Sequence, residues 1–173
     1  LNSMAGNVSG RTFLISGASL ADATEPLSVF DGYAAFPGQG PGQSSGCQSG
    51  PAGDLDDDGL ADIMIGTQGN SEGGGPNAGK ISIFTGASLV AAGGGLVLLD
   101  SADWTFRGEA GDDRLGTSTA LLGDHDGDSR SEFLFSARNN DEGGSDSGKT
   151  YVYLGGNLGP NADPSIFEAD LAL

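Results

Sequence analysis

Basic residues are scarce in this chain: seven Lys and Arg stand against 24 Asp and Glu, a net charge of −17. A surface of that sign repels phosphate backbones, so nucleic acid is excluded as a partner. Cysteine is scarcer still. Cys47 is the one thiol, so no disulfide can close within the chain. Histidine is also single. His125 has no second His or Cys near it in sequence, which argues against zinc, and no Ser/His/Asp relay can be assembled around it. Long hydrophobic runs are missing: nothing is long and apolar enough to cross a membrane, and no extended 3.6-residue periodicity marks a helix. Membrane insertion is therefore not expected. What the chain has in excess is glycine, 32 of 173 residues. It does not recur every third position, which excludes collagen, and it punctuates short apolar runs as turns would.

The acids are not scattered. Asp54, Asp56, Asp58 and Asp62 fall at positions one, three, five and nine of a nine-residue stretch whose sixth residue is Gly59. Alternating short carboxylates around a glycine turn suit a hard cation, which calcium fits and magnesium, with its strict octahedron and reluctance to lose water, fits less well. The apolar Ile63-Met64-Ile65 follows directly, so the loop opens a strand instead of joining two helices. The pattern returns as Asp124, Asp126, Asp128 and Glu132 before Phe133-Leu134-Phe135, with Ser129 in the glycine's place. Ser129 in a left-handed turn would cost about 1 kcal/mol, and Glu132 is one methylene longer than Asp, so the second site is expected to be the weaker.

These loops belong to a longer repeat. Gly-Arg-Thr-Phe-Leu-Ile-Ser-Gly begins at Gly10, Gly-Lys-Ile-Ser-Ile-Phe-Thr-Gly at Gly79 and Gly-Lys-Thr-Tyr-Val-Tyr-Leu-Gly at Gly148, 69 residues apart each time, and the acidic loops start 70 apart. A repeat of this length signals units that bury their apolar faces only against neighbours. Each unit reads as about four short strands: one near 28–36 or 96–106, one at 115–122 leading into the second loop, one at 63–65 or 133–135, and one at 81–84 or 150–154. Tandem four-stranded units fit propeller blades, so the fold class expected is all-β, antiparallel, as a partial propeller of about two to three blades. The whole of 1–173 is then one partial propeller: 10–20 the last strand of a preceding repeat, 21–89 and 90–158 two full repeats, and 159–173 the first strand of another. In the first copy Ser45-Gly46 stands where the second has Leu115-Gly116, and the polar Ser predicts a looser strand there.

With these motifs the chain resembles the FG-GAP repeats of the integrin alpha-subunit β-propeller and its bacterial relatives. In those a Phe-Gly pair precedes an Asp-x-Asp-x-Asp-Gly-x-x-Asp calcium loop and Gly-Ala-Pro follows. Residues 54–62 match the loop fully, and Leu115-Gly116 matches Phe-Gly. Gly66-Thr67-Gln68 and Ser136-Ala137-Arg138 depart from Gly-Ala-Pro. The resemblance implies a disc of roughly seven or eight blades with calcium loops on one rim. The material here suffices for fewer than the four or so that closure needs. It predicts a longer parent protein or association of chains through open blade edges.

Calcium is the expected cofactor. The ligands expected are the side chains of Asp54, Asp56, Asp58 and Asp62 with the Leu60 carbonyl, and those of Asp124, Asp126, Asp128 and Glu132 with the Arg130 carbonyl. Oxygen sites of this kind fill at extracellular calcium levels, so a secreted or cell-surface setting follows. The function expected is a calcium-clamped structural or protein-interaction module, of the cell-adhesion type, without catalysis. A carbohydrate-binding module, with a glycan as partner, or a non-catalytic part of a secreted hydrolase or lyase is the alternative. Asp57 and His125 are expected to face solvent, Cys47 to be half-buried, Lys80 and Lys149 to be rim charges, and Trp104 and Phe106 to be core.

Overall fold

A computed structural model describes residues 9–17, 33–159 and 171–172. Residues 18–20 of the first expected strand, 28–32 of the next and most of 159–173 lie outside the described residues. Among the described residues eleven strands follow in chain order: β1 (Arg11–Leu14), β2 (Ala34–Pro37), β3 (Gln48–Gly53), β4 (Asp62–Thr67), β5 (Lys80–Phe84), β6 (Gly95–Leu96), β7 (Trp104–Arg107), β8 (Leu115–Gly123), β9 (Glu132–Ala137), β10 (Lys149–Tyr153) and β11 (Leu171–Ala172). They form two four-stranded antiparallel sheets, β3-β4-β5-β7 and β8-β9-β10-β11, and a three-stranded sheet, β1-β2-β6. The chain is thus built of β-sheets with blade-like four-stranded units.

Sheets and sequence repeats are out of phase. β7 follows the Gly79 strand in sequence and pairs back onto it, with Ile81 opposite Phe106. β2 pairs onto β1 in the same way, and β11 onto β10. Each four-stranded sheet therefore takes an outer strand from the chain that opens the following repeat, while β2 sits between β1 and β6.

Alternation along the strands divides their side chains between two interfaces, as a period of two requires. On β4, Met64 points to one side with Ile81, Ile83 and Phe106 of its own sheet, and meets Phe133, Phe135, Tyr151 and Tyr153 of the next sheet. Ile65 and Phe84 point to the other side, where they meet Ala34 and Phe36 of the preceding sheet together with Leu89, Val97 and Leu99. The middle sheet is thus packed on both faces. Phe106 is the hinge of the larger cluster, with ring centroids 4.6 Å from Tyr153 and 4.9 Å from Phe135. Full burial of such rings contributes roughly 1.5–3 kcal/mol each. Trp104 and Phe106 are core residues, and the Trp104 indole N–H donates to the Gly159 carbonyl at 3.0 Å. The tryptophan offers no exposed stacking platform.

The structure corrects several expectations. Residues 96–106 are not one strand. β6 pairs in parallel with β2 for two residues, a 3-10 turn occupies Leu99–Ser101, and β7 begins only at Trp104. Val97 and Leu99 reach the core while Leu96 and Leu98 stay exposed, the alternation of extended chain, and the turn then interrupts it before β7. A short helix, Gly86–Ala92, follows β5 where a glycine turn was expected. Thr85 caps it by accepting from the Ser88 N–H, Gly93 ends it at φ 66, and Leu89 anchors it. Seven residues are too few to show helical periodicity in sequence. Cys47 is exposed, not half-buried. Lys80 is not a rim charge but 1% exposed, donating to Gln39 Oε1 at 2.7 Å and Glu72 Oε2 at 3.0 Å. Lys149 repeats the arrangement with Glu109 and Glu142 and is also largely covered. Burial opposes its charge, yet the two carboxylates outweigh that and raise its pKa. In the first copy β3 starts at Gln48, whereas β8 of the second starts at Leu115.

Candidate metal centre

Each acidic loop links two antiparallel strands at the same end of successive sheets, β3 to β4 and β8 to β9. The ladder slips just before each loop, between Pro51 and Gly53 and between Leu121 and Gly123. Such bulges re-aim the chain at a sheet's rim.

The first aspartate is the hub of each loop. Asp54 accepts from the Asp58 N–H at 3.1 Å and the Gly59 N–H at 2.9 Å. Asp124 accepts from the Gly127 N–H at 2.7 Å and the Ser129 N–H at 3.1 Å. Position five closes the next turn in both: Asp58 accepts from Leu60 N–H and Asp128 from Arg130 N–H. Two left-handed residues curl each loop. In the first they are Asp57 at φ 61 and Gly59 at φ 83; in the second, Gly127 at φ 83 and Ser129 at φ 74. The left-handed turn expected at Ser129 is therefore present. The sequence also hides a second such position, four in each loop, and the two copies place their glycine at opposite members of the pair.

Asp54, Asp56 and Asp58 each bring a carboxylate oxygen within 4.8 Å of the others, and Asp124, Asp126, Asp128 and Glu132 do the same. Both groups are capable of coordinating a metal ion. Two orphaned oxygens fit that chemistry. Asp56 Oδ1 and Glu132 Oε1 are buried with no hydrogen-bond partner, a costly state for an anionic oxygen unless a cation satisfies it. Burial raises the pKa of Asp56, and the charges of Asp58 and Asp54 add to it. These are the terms a divalent ion would reverse.

Position nine differs between the copies. Asp62 is fully buried outside the three-carboxylate group. Its Oδ2 accepts from Leu55 N–H at 2.7 Å and its Oδ1 from Gly86 N–H at 2.8 Å, at the start of the short helix. Burial lifts its pKa to about 6 despite those two bonds. Glu132, equally buried, accepts from the His125 N–H through Oε2, leaves Oε1 without a hydrogen-bond partner and brings a carboxylate oxygen into the cluster. The Leu60 and Arg130 residues sit at position seven of each loop, their N–H groups already used by position five. Asp57 and His125 are exposed.

Among the described residues no helix is long and apolar enough to cross a membrane. No curated protein matches the chain. The family model described as FG-GAP repeat matches residues 48–84. That span runs from the start of β3 through the first acidic loop and β4 to the end of β5, and it places an FG-GAP repeat motif around the first of the two carboxylate clusters.

Proposed function

We propose that this chain is a calcium-clamped repeat module of an extracellular protein, part of a propeller of FG-GAP-type blades, with a structural or protein-binding role and no catalysis. The observation that carries the reading is the duplication of one loop at one place in two successive sheets, each copy gathering carboxylate oxygens within 4.8 Å. Asp54, Asp56 and Asp58 would hold the first ion with the Leu60 carbonyl, and Asp62 through lone pairs its backbone bonds leave open. Asp124, Asp126, Asp128 and Glu132 would hold the second with the Arg130 carbonyl. The ion's contribution is charge neutralisation: it relieves repulsion among clustered carboxylates and ties the strands on either side of each loop. Partners would be proteins, or copies of this chain meeting through open sheet edges.

Calorimetric titration with calcium is the test. Two binding events are expected. At calcium one hundred times the dissociation constant, each site adds about 2.7 kcal/mol, which raises the melting temperature by roughly 5–10 °C per site. Absence of binding heat sinks the proposal. Light scattering on the same samples tests the edge-pairing: a strictly monomeric mass at high protein concentration would remove self-association from it.

A further inference from the structure

The two acidic loops touch. The Ser131 N–H donates to the Asp54 carbonyl at 3.2 Å. Asp54 is the first residue of one loop and its hydrogen-bonding hub. Ser131 is the eighth residue of the other, set between Arg130 and Glu132. The contact is close enough to forbid a side chain at Gly53, where φ is +86 and a Cβ would lie 2.2 Å from Ser131 Oγ and 2.9 Å from Leu121 Cδ1. The start of the first loop thus lies directly against the end of the second.

The two residues flanking this bond are charged with different tasks. Glu132 is buried and belongs to its cluster, with Oε2 held by the His125 N–H and Oε1 left without a hydrogen-bond partner. Asp54 uses both carboxylate oxygens to hold the Asp58 and Gly59 N–H groups. A single backbone hydrogen bond therefore joins the chain beside the last carboxylate of one cluster to the residue that supplies the first of the other.

We infer that the two loops take up calcium cooperatively, with Ser131 as the positioning residue whose backbone N–H passes the order of one loop to its neighbour. This rests on the calcium reading above and concerns how the sites depend on each other. An ion in the second loop fixes residues 130–132 and so aims the Ser131 N–H. The Asp54 peptide is then already oriented, and the first loop has less freedom left to lose when its own ion arrives. Linkage makes the effect mutual: each site must raise the affinity of the other by the same factor.

The experiment uses calorimetry on the whole chain with calcium alone as the probe. Asp126→Asn with Asp128→Asn empties the second loop, and Asp56→Asn with Asp58→Asn empties the first. Each remaining site is expected to lose affinity by the same factor, at least about fivefold. Wild-type affinity at both remaining sites overturns the coupling and leaves the calcium reading intact. No heat with the unmutated chain overturns that reading and the coupling with it. Should a double variant fail to fold, Glu132→Gln, which keeps an acceptor for the His125 N–H, takes its place. An independent readout is hydrogen exchange at Ser131 in the chain with an emptied second loop. Calcium bound only at the first loop is expected to slow exchange of this amide, and unchanged exchange overturns the proposal. Ser131→Ala keeps the N–H and is expected to keep the coupling.

Discussion

The loop at 54–62 and the loop at 124–132 solve one problem with different residues. Both need two left-handed positions, and each has one glycine to spend on them. The first places it at position six and leaves Asp57 at position four. The second places it at position four and leaves Ser129 at position six. Both need a buried carboxylate at position nine to hold the position-two N–H. Asp62, being short, stays outside its cluster and reaches Gly86 with its other oxygen, while the longer Glu132 joins its cluster and leaves its other oxygen without a hydrogen-bond partner. The lesson is that position nine serves the fold before it serves a metal. Its backbone bond is common to both copies, and the second oxygen is what varies.

The largest effect should come from separating those roles. Asp62→Ala leaves the Leu55 and Gly86 N–H groups without acceptors, and is expected to cost roughly 2–5 kcal/mol in urea unfolding without any metal. Glu132→Gln should cost far less under the same conditions and instead weaken calcium binding at the second loop. Similar losses from both variants in chelator would erase the distinction drawn here.

A pH series comes next. Burial raises the Asp62 pKa in the folded chain to about 6, from 3.8. The folded state then binds the proton more tightly than the unfolded one, so this group's contribution to metal-free stability falls as pH rises from about 4 to about 6. Comparison of the unmutated chain with Asp62→Asn in chelator isolates that slope. Calcium should oppose it, since ion and proton compete for one carboxylate. A difference curve that is flat between those values would contradict the burial effect.

The smallest effect tests the glycine exchange. Ser129→Gly is expected to stabilise by about 0.5–1 kcal/mol, because serine tolerates the left-handed region poorly. Asp57→Gly should gain less, since aspartate visits that region more readily. Thermal unfolding of both variants, with equal gains or a larger gain at Asp57, would show that strain does not rank the two loops.

The loops were legible in sequence because their chemistry is local. Carboxylates at alternate positions, a glycine and an apolar run define them within a dozen residues, and duplication confirms the pattern. The short strands around them were legible for the same reason: 63–65 and 133–135 fall inside β4 and β9, and 81–84 inside β5. What escaped is what depends on distant chain. Lys80 reads as a surface charge until Gln39, 41 residues away, is brought against it. The run at 96–106 begins with the alternation of a strand, Val97 and Leu99 in and Leu96 and Leu98 out, but a turn at Leu99–Ser101 breaks it before β7. Asp62 reads as one more ligand, and only the placement of the Gly86–Ala92 helix reveals its second partner. The FG-GAP motif at residues 48–84 covers the part where local chemistry is densest.

The offset between sheets and repeats has a consequence for how such a chain can grow or be cut. Because β7 closes the sheet before it, as β11 does for its own, the piece that is copied in the sequence is not the piece that folds. A scission at 90, a natural seam by sequence, would strip the middle sheet of its outer strand and hand the next fragment an orphan. A scission after Arg107 would leave that sheet whole. Duplication works the other way: every added copy arrives carrying the missing edge of its predecessor, like overlapping shingles, so lengthening the array and sealing it are a single event.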